Sequence, residues 1–237
     1  MKIHLEPGYI LHHYPYRDTS LLLEVFTRHH GRVGLVARGA RSGRSRLRGL
    51  LQVFSPLLLS WHARGELGTL SGAETNGPVP VLPGKRIMSA YYLNELLLRM
   101  MTRNDPHPDL FTSYASAIDR LASGEAGEIT LRMFEKSLLQ ELGYGLLLDQ
   151  DAETGHSVNP DDLYEYQLEK GPVAVTRSSA GGLCFNGRSL LALHRGELDD
   201  PASLRDARLL MRHAIALYTG KRPLRTREVL RQWTVSQ

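Results

Sequence analysis

The sequence predicts an α+β protein with two parts, a small closed β-barrel followed by a helical region. Within the first 75 residues, short segments rich in Leu, Val, Tyr and Phe alternate with Gly-marked turns, which is typical of a small barrel. The remainder shows apolar side chains at helical spacing. Residues 76–84 lie between the two parts and contain three Pro and two Gly, which break helices and strands.

Five short strands are predicted in the first part. Gly31 supplies the turn between the second and the third strand. Five strands in so short a stretch favour a closed barrel of the OB type over a βαβ fold, and we place this domain at residues 1–78. The predicted strands are Tyr9–Tyr14, Ser20–Thr27, Arg32–Arg38, Val53–Trp61 and Glu66–Ala73.

Residues 79–237 are predicted to form a helical bundle with a small irregular and β-hairpin insert at about 149–186, in the C-terminal region. The first helix carries the apolar stripe of Ala90, Leu93 and Leu97. The second helix ends near Ala122, and Gly143 stops the third. The third and later predicted helices are Glu128–Leu142, Arg188–Leu193, Ala202–Tyr218 and Thr226–Trp233.

The net charge of +4 conceals an uneven distribution. Residues 1–75 carry ten basic and five acidic side chains, and residues 205–237 carry eight basic and two acidic ones. The segment between these two regions is acidic. The two ends of the chain are therefore the candidate surfaces for a polyanion.

Arginine dominates the first basic region. Residues 28–48 contain seven Arg and no acidic residue. Because the guanidinium fork grips phosphate and stacks on bases, this run favours nucleic-acid binding over a solvated loop. A Gly/Ser/Arg segment is a poor amphipathic helix, so an anionic membrane is the weaker alternative. The predicted DNA-binding residues are Arg28, Arg32, Arg38, Arg41, Arg44, Arg46, Arg48, Lys221, Arg222, Arg225 and Arg227.

Motifs for catalysis are scarce. The sequence contains no phosphate loop, nucleophile elbow or His-Glu-x-x-His pattern. The acidic run of Asp149, Asp151 and Glu153 leaves a metal-dependent nuclease open as an alternative, and a protein-only adaptor is another. The pairs His12-His13 and His29-His30 are weak metal candidates. We expect no enzyme activity, no cofactor, no metal and no membrane span.

The third predicted helix carries a basic pair beside an apolar position. Arg132 and Lys136 lie four residues apart, and Leu139 follows seven residues after Arg132. A solvated helix face is one interpretation of this pattern. The more specific interpretation is that these residues line a groove that binds a peptide with both acidic and apolar side chains.

Three groups of residues together resemble the bacterial DNA repair and recombination protein O (RecO) family. The first includes Asp18-Thr19-Ser20-Leu21-Leu22, Ala37-Arg38-Gly39-Ala40-Arg41 and Gln52-Val53-Phe54-Ser55-Pro56-Leu57. The second is Leu93-Asn94-Glu95-Leu96 with Leu142-Gly143-Tyr144-Gly145, and the third is the segment 220–227. The resemblance runs nearly from end to end, and the order and spacing of the pieces make it specific.

The resemblance implies a mediator that binds single- and double-stranded DNA and anneals complementary strands. It implies recruitment by the C-terminal tail of single-stranded DNA-binding protein (SSB), whose groove on the helical bundle would have Arg132 at its edge. With the helix pattern described above, the predicted tail-binding residues are Arg132, Lys136 and Leu139. It also implies that the protein works with RecR to load RecA. Some family members carry a four-cysteine zinc site, but the only cysteine of this chain is Cys184. We expect a cytoplasmic, nucleoid-associated protein.

Overall fold

The computed structural model describes residues 1–63, 65–177, 182–220, 223–226 and 228–229. The chain divides into two compact units. The barrel unit comprises residues 1–125 and the C-terminal segment that begins at Pro223, and the second unit comprises Ala126–Arg222. The division of domains predicted from the sequence, at residue 78, differs from this grouping and stays a prediction.

Five strands form a closed barrel at the N-terminus. The order around the barrel is β1-β2-β3-β5-β4, and β4 closes on β1. The β3–β5 pairing is parallel and the other pairings are antiparallel. This arrangement confirms the predicted OB-type barrel. The strands are β1 (Lys2–Tyr16), β2 (Ser20–Thr27), β3 (Gly31–Ala37), β4 (Pro56–Ala63) and β5 (Leu67–Thr75).

Alternation along the strands determines which side chains fill the barrel. Leu23 and Val25 of β2 and Leu35 of β3 belong to the barrel core. Phe26 is also fully buried, but it points away from that core. The reason is the period of two, which sends Val25 inward and its neighbour outward.

Two helices pack against the outside of the barrel. They are α1 (Lys85–Met100) and α2 (Pro108–Ser123). Phe26 meets the Phe111 ring of α2 with centroids 5.4 Å apart. The Asn94 side chain donates to the Leu11 carbonyl at 2.8 Å and accepts from the Tyr114 hydroxyl at 2.6 Å. These buried hydrogen bonds fix α1 and α2 relative to β1.

The second unit combines three helices with a three-stranded sheet of order β7-β6-β8. The predicted hairpin is present as β6 and β7, and β8 adds a strand that the sequence did not predict. Asp200 caps α5 by accepting from the Ser203 amide at 2.8 Å. The elements are α3 (Gly127–Glu141), β6 (Leu163–Gln167), β7 (Gly171–Val175), β8 (Cys184–Asn186), α4 (Gly187–Arg195) and α5 (Pro201–Thr219).

Three smaller features complete the description of the fold: the absence of a membrane-spanning helix among the described residues, the predicted C-terminal helix, and Cys184. Among the helices of the described residues, none has the length and apolar character needed to cross a membrane. The predicted helix Thr226–Trp233 lies largely outside the described residues. Cys184 lies on β8 and is half-buried.

Candidate nucleic-acid interface

The segment from Arg38 to Gly49, which we call the arginine loop, connects β3 to the approach of β4. Its backbone is a succession of turns, with hydrogen bonds from Ser45 to Ser42 at 3.1 Å and from Arg48 to Ser45 at 3.3 Å. Ala40 is buried in the barrel core at one end of the loop, and Leu47 packs against that core near the other. The loop is therefore anchored although its arginines face solvent.

Five of the predicted arginines lie on this loop. All five are exposed, and the loop carries no acidic residue that could neutralise them. Such a concentration of uncompensated guanidinium groups creates a positive potential that attracts phosphates. These residues are Arg38, Arg41, Arg44, Arg46 and Arg48.

Arg28 and Arg32 differ in their surroundings. Arg28 is exposed at the turn between β2 and β3. Arg32 is half-buried, and its Nη1 donates to Oε2 of the buried Glu24 at 3.3 Å. Burial lowers the pKa of Arg32, and the Glu24 carboxylate opposes that effect. Arg103 contacts the other oxygen of Glu24. The structure thus places Arg32 in an internal ion-pair cluster rather than on the exposed loop.

The predicted C-terminal basic cluster is only partly described. Lys221, Arg222 and Arg227 lie outside the described residues, and Arg225 is exposed. The segment that carries Arg225 belongs to the same compact unit as the barrel. From the sequence, this segment is predicted to belong to the helical region.

Glu95 of α1 holds the C-terminal segment. Its Oε1 accepts from the Arg225 amide at 2.9 Å, and its Oε2 accepts from the Thr226 amide at 3.0 Å and the Thr226 hydroxyl at 2.7 Å. Burial alone would raise the pKa of Glu95, but the hydrogen bonds from Thr226 and Arg225 and the charge of Arg99 lower it overall. The ionised carboxylate is therefore the form that binds the segment.

The aromatic rings of the barrel unit differ in how far neighbouring elements cover them. Tyr14 is 47% exposed, whereas Tyr9, Phe54 and Trp61 are buried. Tyr16 is half-buried, with the Arg17 guanidinium 5.3 Å from its ring centroid. Tyr14 therefore offers an exposed face to a stacking base.

The outward aromatics and the arginine loop are joined through one turn. The Arg41 amide donates to the Thr19 carbonyl at 2.8 Å, which ties the loop to the turn that follows β1. The Arg41 guanidinium also lies 3.5 Å from the Arg17 carbonyl. The loop thus lies against the β1–β2 turn, where Arg17 is exposed next to the Tyr16 ring, and Arg17 and Tyr14 are candidate DNA contacts that the sequence did not indicate.

The residues predicted to bind an acidic peptide lie on α3 but are not an exposed basic edge. Arg132 is 7% exposed, and its Nη2 donates to Oε1 of the fully buried Glu135 at 2.5 Å. Leu139 is fully buried. Lys136 is half-buried and caps α4 by donating to the carbonyls of Leu193, at 3.2 Å, and His194. Its pKa is lowered by burial.

In the acidic run of Asp149, Asp151 and Glu153, the Asp151 carboxylate holds the loop together through hydrogen bonds. Oδ1 of the buried Asp151 accepts from the amides of Glu153 and Thr154 and from the Thr154 hydroxyl, and Oδ2 accepts from the Ala174 amide. The pKa of Asp151 falls to about 2, chiefly through the Thr154 and Ala174 amides. Its oxygens are engaged in folding the loop, which favours a structural role over metal binding.

The two histidines of the His29-His30 pair contact different partners. Nδ1 of His29 lies 3.1 Å from Glu6, and the His30 ring meets Trp61 edge-on at 5.5 Å. Within the described residues, no group of three or more His, Cys, Asp or Glu side chains has an arrangement that could hold a metal ion.

The fold and the surface define an OB-barrel protein with an exposed arginine loop and helical elements that follow the barrel. Residues 1–79 match the family described as "Recombination protein O N terminal", and residues 83–228 match "Recombination protein O C terminal". The chain therefore belongs to the RecO family of DNA repair proteins, as the resemblance in its sequence predicted.

Similar proteins from several bacteria carry the name "DNA repair protein RecO". The protein from Nitrosococcus oceani is 48% identical over 232 residues, which are 98% of this chain and 94% of the relative. The protein from Dechloromonas aromatica is 44% identical over 98% of this chain and 96% of its own length. The Coxiella burnetii protein is 44% identical over 97% and 98%, respectively.

Proposed function

We propose that this protein is a non-catalytic mediator of DNA repair and homologous recombination. It binds single- and double-stranded DNA, anneals complementary strands, and with RecR helps to load RecA onto SSB-coated single strands. The observation that carries this proposal is the exposed arginine loop, which Arg41 holds against the turn that follows β1. Membership of the RecO family supports a role in DNA repair.

Phosphate contacts supply most of the proposed affinity. The five exposed arginines of the loop displace condensed counterions from the strand, and the free energy comes from the release of those ions. Tyr14 adds sequence-independent stacking with one base, worth about 1–3 kcal/mol. Arg28 is exposed at the β2–β3 turn, at the opposite end of these two strands from the arginine loop, and would meet a phosphate separately from the loop.

Annealing requires two strands that repel each other to lie close together. Two groups of positive charge lie near the two ends of the chain. One is the arginine loop, and the other consists of Lys221, Arg222, Arg225 and Arg227. We propose that each group holds one strand and that both screen the repulsion between the strands. The capture of the C-terminal segment by Glu95 supports this assignment, because it fixes Arg225 on α1.

The SSB tail is proposed to bind on the second unit, beside α3. Lys136 has exposed surface that an acidic tail can contact. Because Arg132 and Leu139 are buried, we propose that they do not contact the tail but stabilise the conformation of α3 to which it binds. Recruitment by the tail would bring the arginine loop to DNA that SSB already covers.

The experiment that tests DNA binding is a comparison of salt dependence. Arg41, Arg44 and Arg46 are replaced together by Ala, and affinity for an oligonucleotide is measured from low to moderate salt. Each lost phosphate contact reduces the slope of log K against log salt by about 0.7 for a single strand. The matched control replaces three exposed arginines of the second unit, Arg188, Arg195 and Arg205. We expect a shallower slope only for the loop variant, and equal slopes would remove the loop from the DNA site.

A further inference from the structure

The barrel unit contains a cavity beside the arginine loop that the proposed phosphate contacts leave unused. Its volume is about 390 Å³, which falls within the range of small-molecule sites. Its lining comes from the end of the arginine loop, from the approach to β4, and from the linker between β5 and α1. The cavity is open to solvent, and one of the segments that line it belongs to the proposed phosphate-binding loop.

The lining combines apolar walls with a few polar groups. Leu51, Phe54 and Leu82 contribute apolar surface, and His13 and Gln52 contribute an imidazole and an amide. Arg48 lines the cavity and also belongs to the arginine loop. Apolar walls with a small number of hydrogen-bonding groups suit a flat heteroaromatic ring with polar edges.

Phe54 adopts a backbone conformation that is rare for an aromatic residue. Its φ is +68°, in the left-handed region, which costs a non-glycine residue about 1–3 kcal/mol. The Tyr91 ring packs edge-on against Phe54 with centroids 5.0 Å apart. Packing thus maintains a strained residue in the cavity wall, and strain of this kind is concentrated at binding sites.

We propose that this cavity accepts one unstacked base of a single strand whose phosphates lie on the arginine loop. The proposal rests on the proposed DNA-binding function. Arg48 makes the connection, because its guanidinium can bind the phosphate next to the inserted base while the ring enters between Leu51 and Leu82. A base paired in a duplex is stacked and cannot enter, so the cavity gives the protein a preference for single strands.

Crosslinking tests the proposal on the unmodified protein. A short thymidine oligonucleotide with one 4-thiothymine is bound, irradiated and digested, and the crosslinked residues are identified by mass spectrometry. We expect crosslinks to residues 51–54 or 79–87. Crosslinks confined to other parts of the barrel, such as Tyr14, would overturn the cavity while leaving DNA binding intact. A failure to bind the oligonucleotide at all would overturn both proposals.

A pair of variants gives an independent test. Leu82→Trp fills the cavity, whereas Val81→Trp places the same ring one residue away, at a 75% exposed position outside the lining. We expect Leu82→Trp to weaken single-strand binding about tenfold, the loss of one inserted base, and to leave duplex binding unchanged. Equal affinities for the two variants, or an equal loss for single strands and duplexes in Leu82→Trp, would contradict the proposal. Circular dichroism verifies that both variants are folded.

Discussion

Arg132 and Glu135 form an ion pair inside the second unit, one turn apart on α3, with 2.5 Å between Nη2 and Oε1. Glu135 is fully buried and Arg132 nearly so. Removal of one member of a buried ion pair is costly, because the remaining charge loses the opposite charge beside it. Reversal of the Arg132 charge would therefore disturb the fold as well as any peptide contact. Lys136 is the better position at which to test the tail.

We predict that Arg132→Met destabilises the second unit by about 3–5 kcal/mol, because Glu135 loses its buried partner. The double variant Arg132→Met with Glu135→Leu should recover most of that loss, since neither charge remains. Urea unfolding of the single and double variants measures both effects. If the free energies of unfolding of both variants lie within about 1 kcal/mol of that of the natural protein, the ion pair contributes little to stability.

For Lys136 we predict a moderate effect on stability and a larger one on the SSB tail. Lys136→Met removes the cap on the carbonyls of Leu193 and His194, which should cost about 1 kcal/mol. It should also weaken binding of an SSB-tail peptide several-fold while DNA affinity stays unchanged. Fluorescence anisotropy with a labelled peptide measures the binding. Arg188→Met, an exposed arginine of the same unit, serves as the control. Tail affinity equal in both variants would exclude Lys136 from the tail site.

Asp151 should make the loop around residues 149–160 sensitive to acid. Its pKa is about 2 in the folded chain, below the ordinary value of 3.8, so its stabilising effect is fully present above pH 4. That effect is lost as the pH falls from about 4 to about 2, when the carboxylate is protonated. We predict that Asp151→Asn is less stable than the natural protein by about 1–3 kcal/mol at pH 7 and that the difference shrinks below pH 4.

The control for this prediction is Asp161→Asn, because Asp161 is exposed and pairs only with the exposed Arg188 among the contacts described. Unfolding in urea at a series of pH values gives the comparison. A constant difference between Asp151→Asn and the natural protein from pH 7 to pH 2 would show that the carboxylate charge does not stabilise the loop.

Glu95→Ala should release the C-terminal segment from α1. The variant removes the acceptor of the Arg225 and Thr226 amides, so hydrogen exchange at those two amides should accelerate at least several-fold. If the segment holds a strand, annealing should slow as well. Glu74→Ala, at an exposed position on β5, removes the same charge without this contact. Unchanged exchange in Glu95→Ala would show that other contacts hold the segment.

Tyr14→Ala should weaken single-strand binding by about 1–3 kcal/mol, the value of one stacked base. The control is Tyr144→Ala in the second unit, since Tyr144 has a similar exposure of 44%. Fluorescence titration with a thymidine oligonucleotide at fixed salt measures both affinities. A loss of equal size in the two variants, or in neither, would exclude Tyr14 as the stacking platform.

The sequence predicted the barrel well where the signal is local. β2 has the predicted bounds, because apolar residues and turn residues mark both of its ends. β1 begins seven residues earlier than the predicted Tyr9, since its first residues are mostly exposed and gain their structure from pairing of Lys2 with His62 and Ile3 with Trp61 on β4. Such long-range pairing leaves no local pattern. β8, with three residues, is too short to show any alternation.

The candidate sites also show that local patterns can be read from the sequence, whereas long-range contacts cannot. The arginine loop could be recognised because its five arginines belong to a run of seven, at residues 28–48, that contains no acidic residue. The internal roles of Arg32 and Arg132 could not be assigned from composition, because they depend on buried partners. The Glu135 partner lies only three residues from Arg132, so helical spacing was an available signal. The contact between Glu95 and Thr226 joins residues 131 positions apart and has no such signal.

The most direct test of the account is the rate at which complementary DNA strands, both coated with SSB, anneal in the presence of this protein. The natural protein should accelerate annealing, and the variant with Arg41, Arg44 and Arg46 replaced by Ala should be slower by about tenfold or more, because it loses three phosphate contacts. Removal of the SSB tail should reduce the acceleration by the natural protein. If the loop variant anneals the strands as fast as the natural protein does, the proposal that the arginine loop binds the strands during annealing is contradicted.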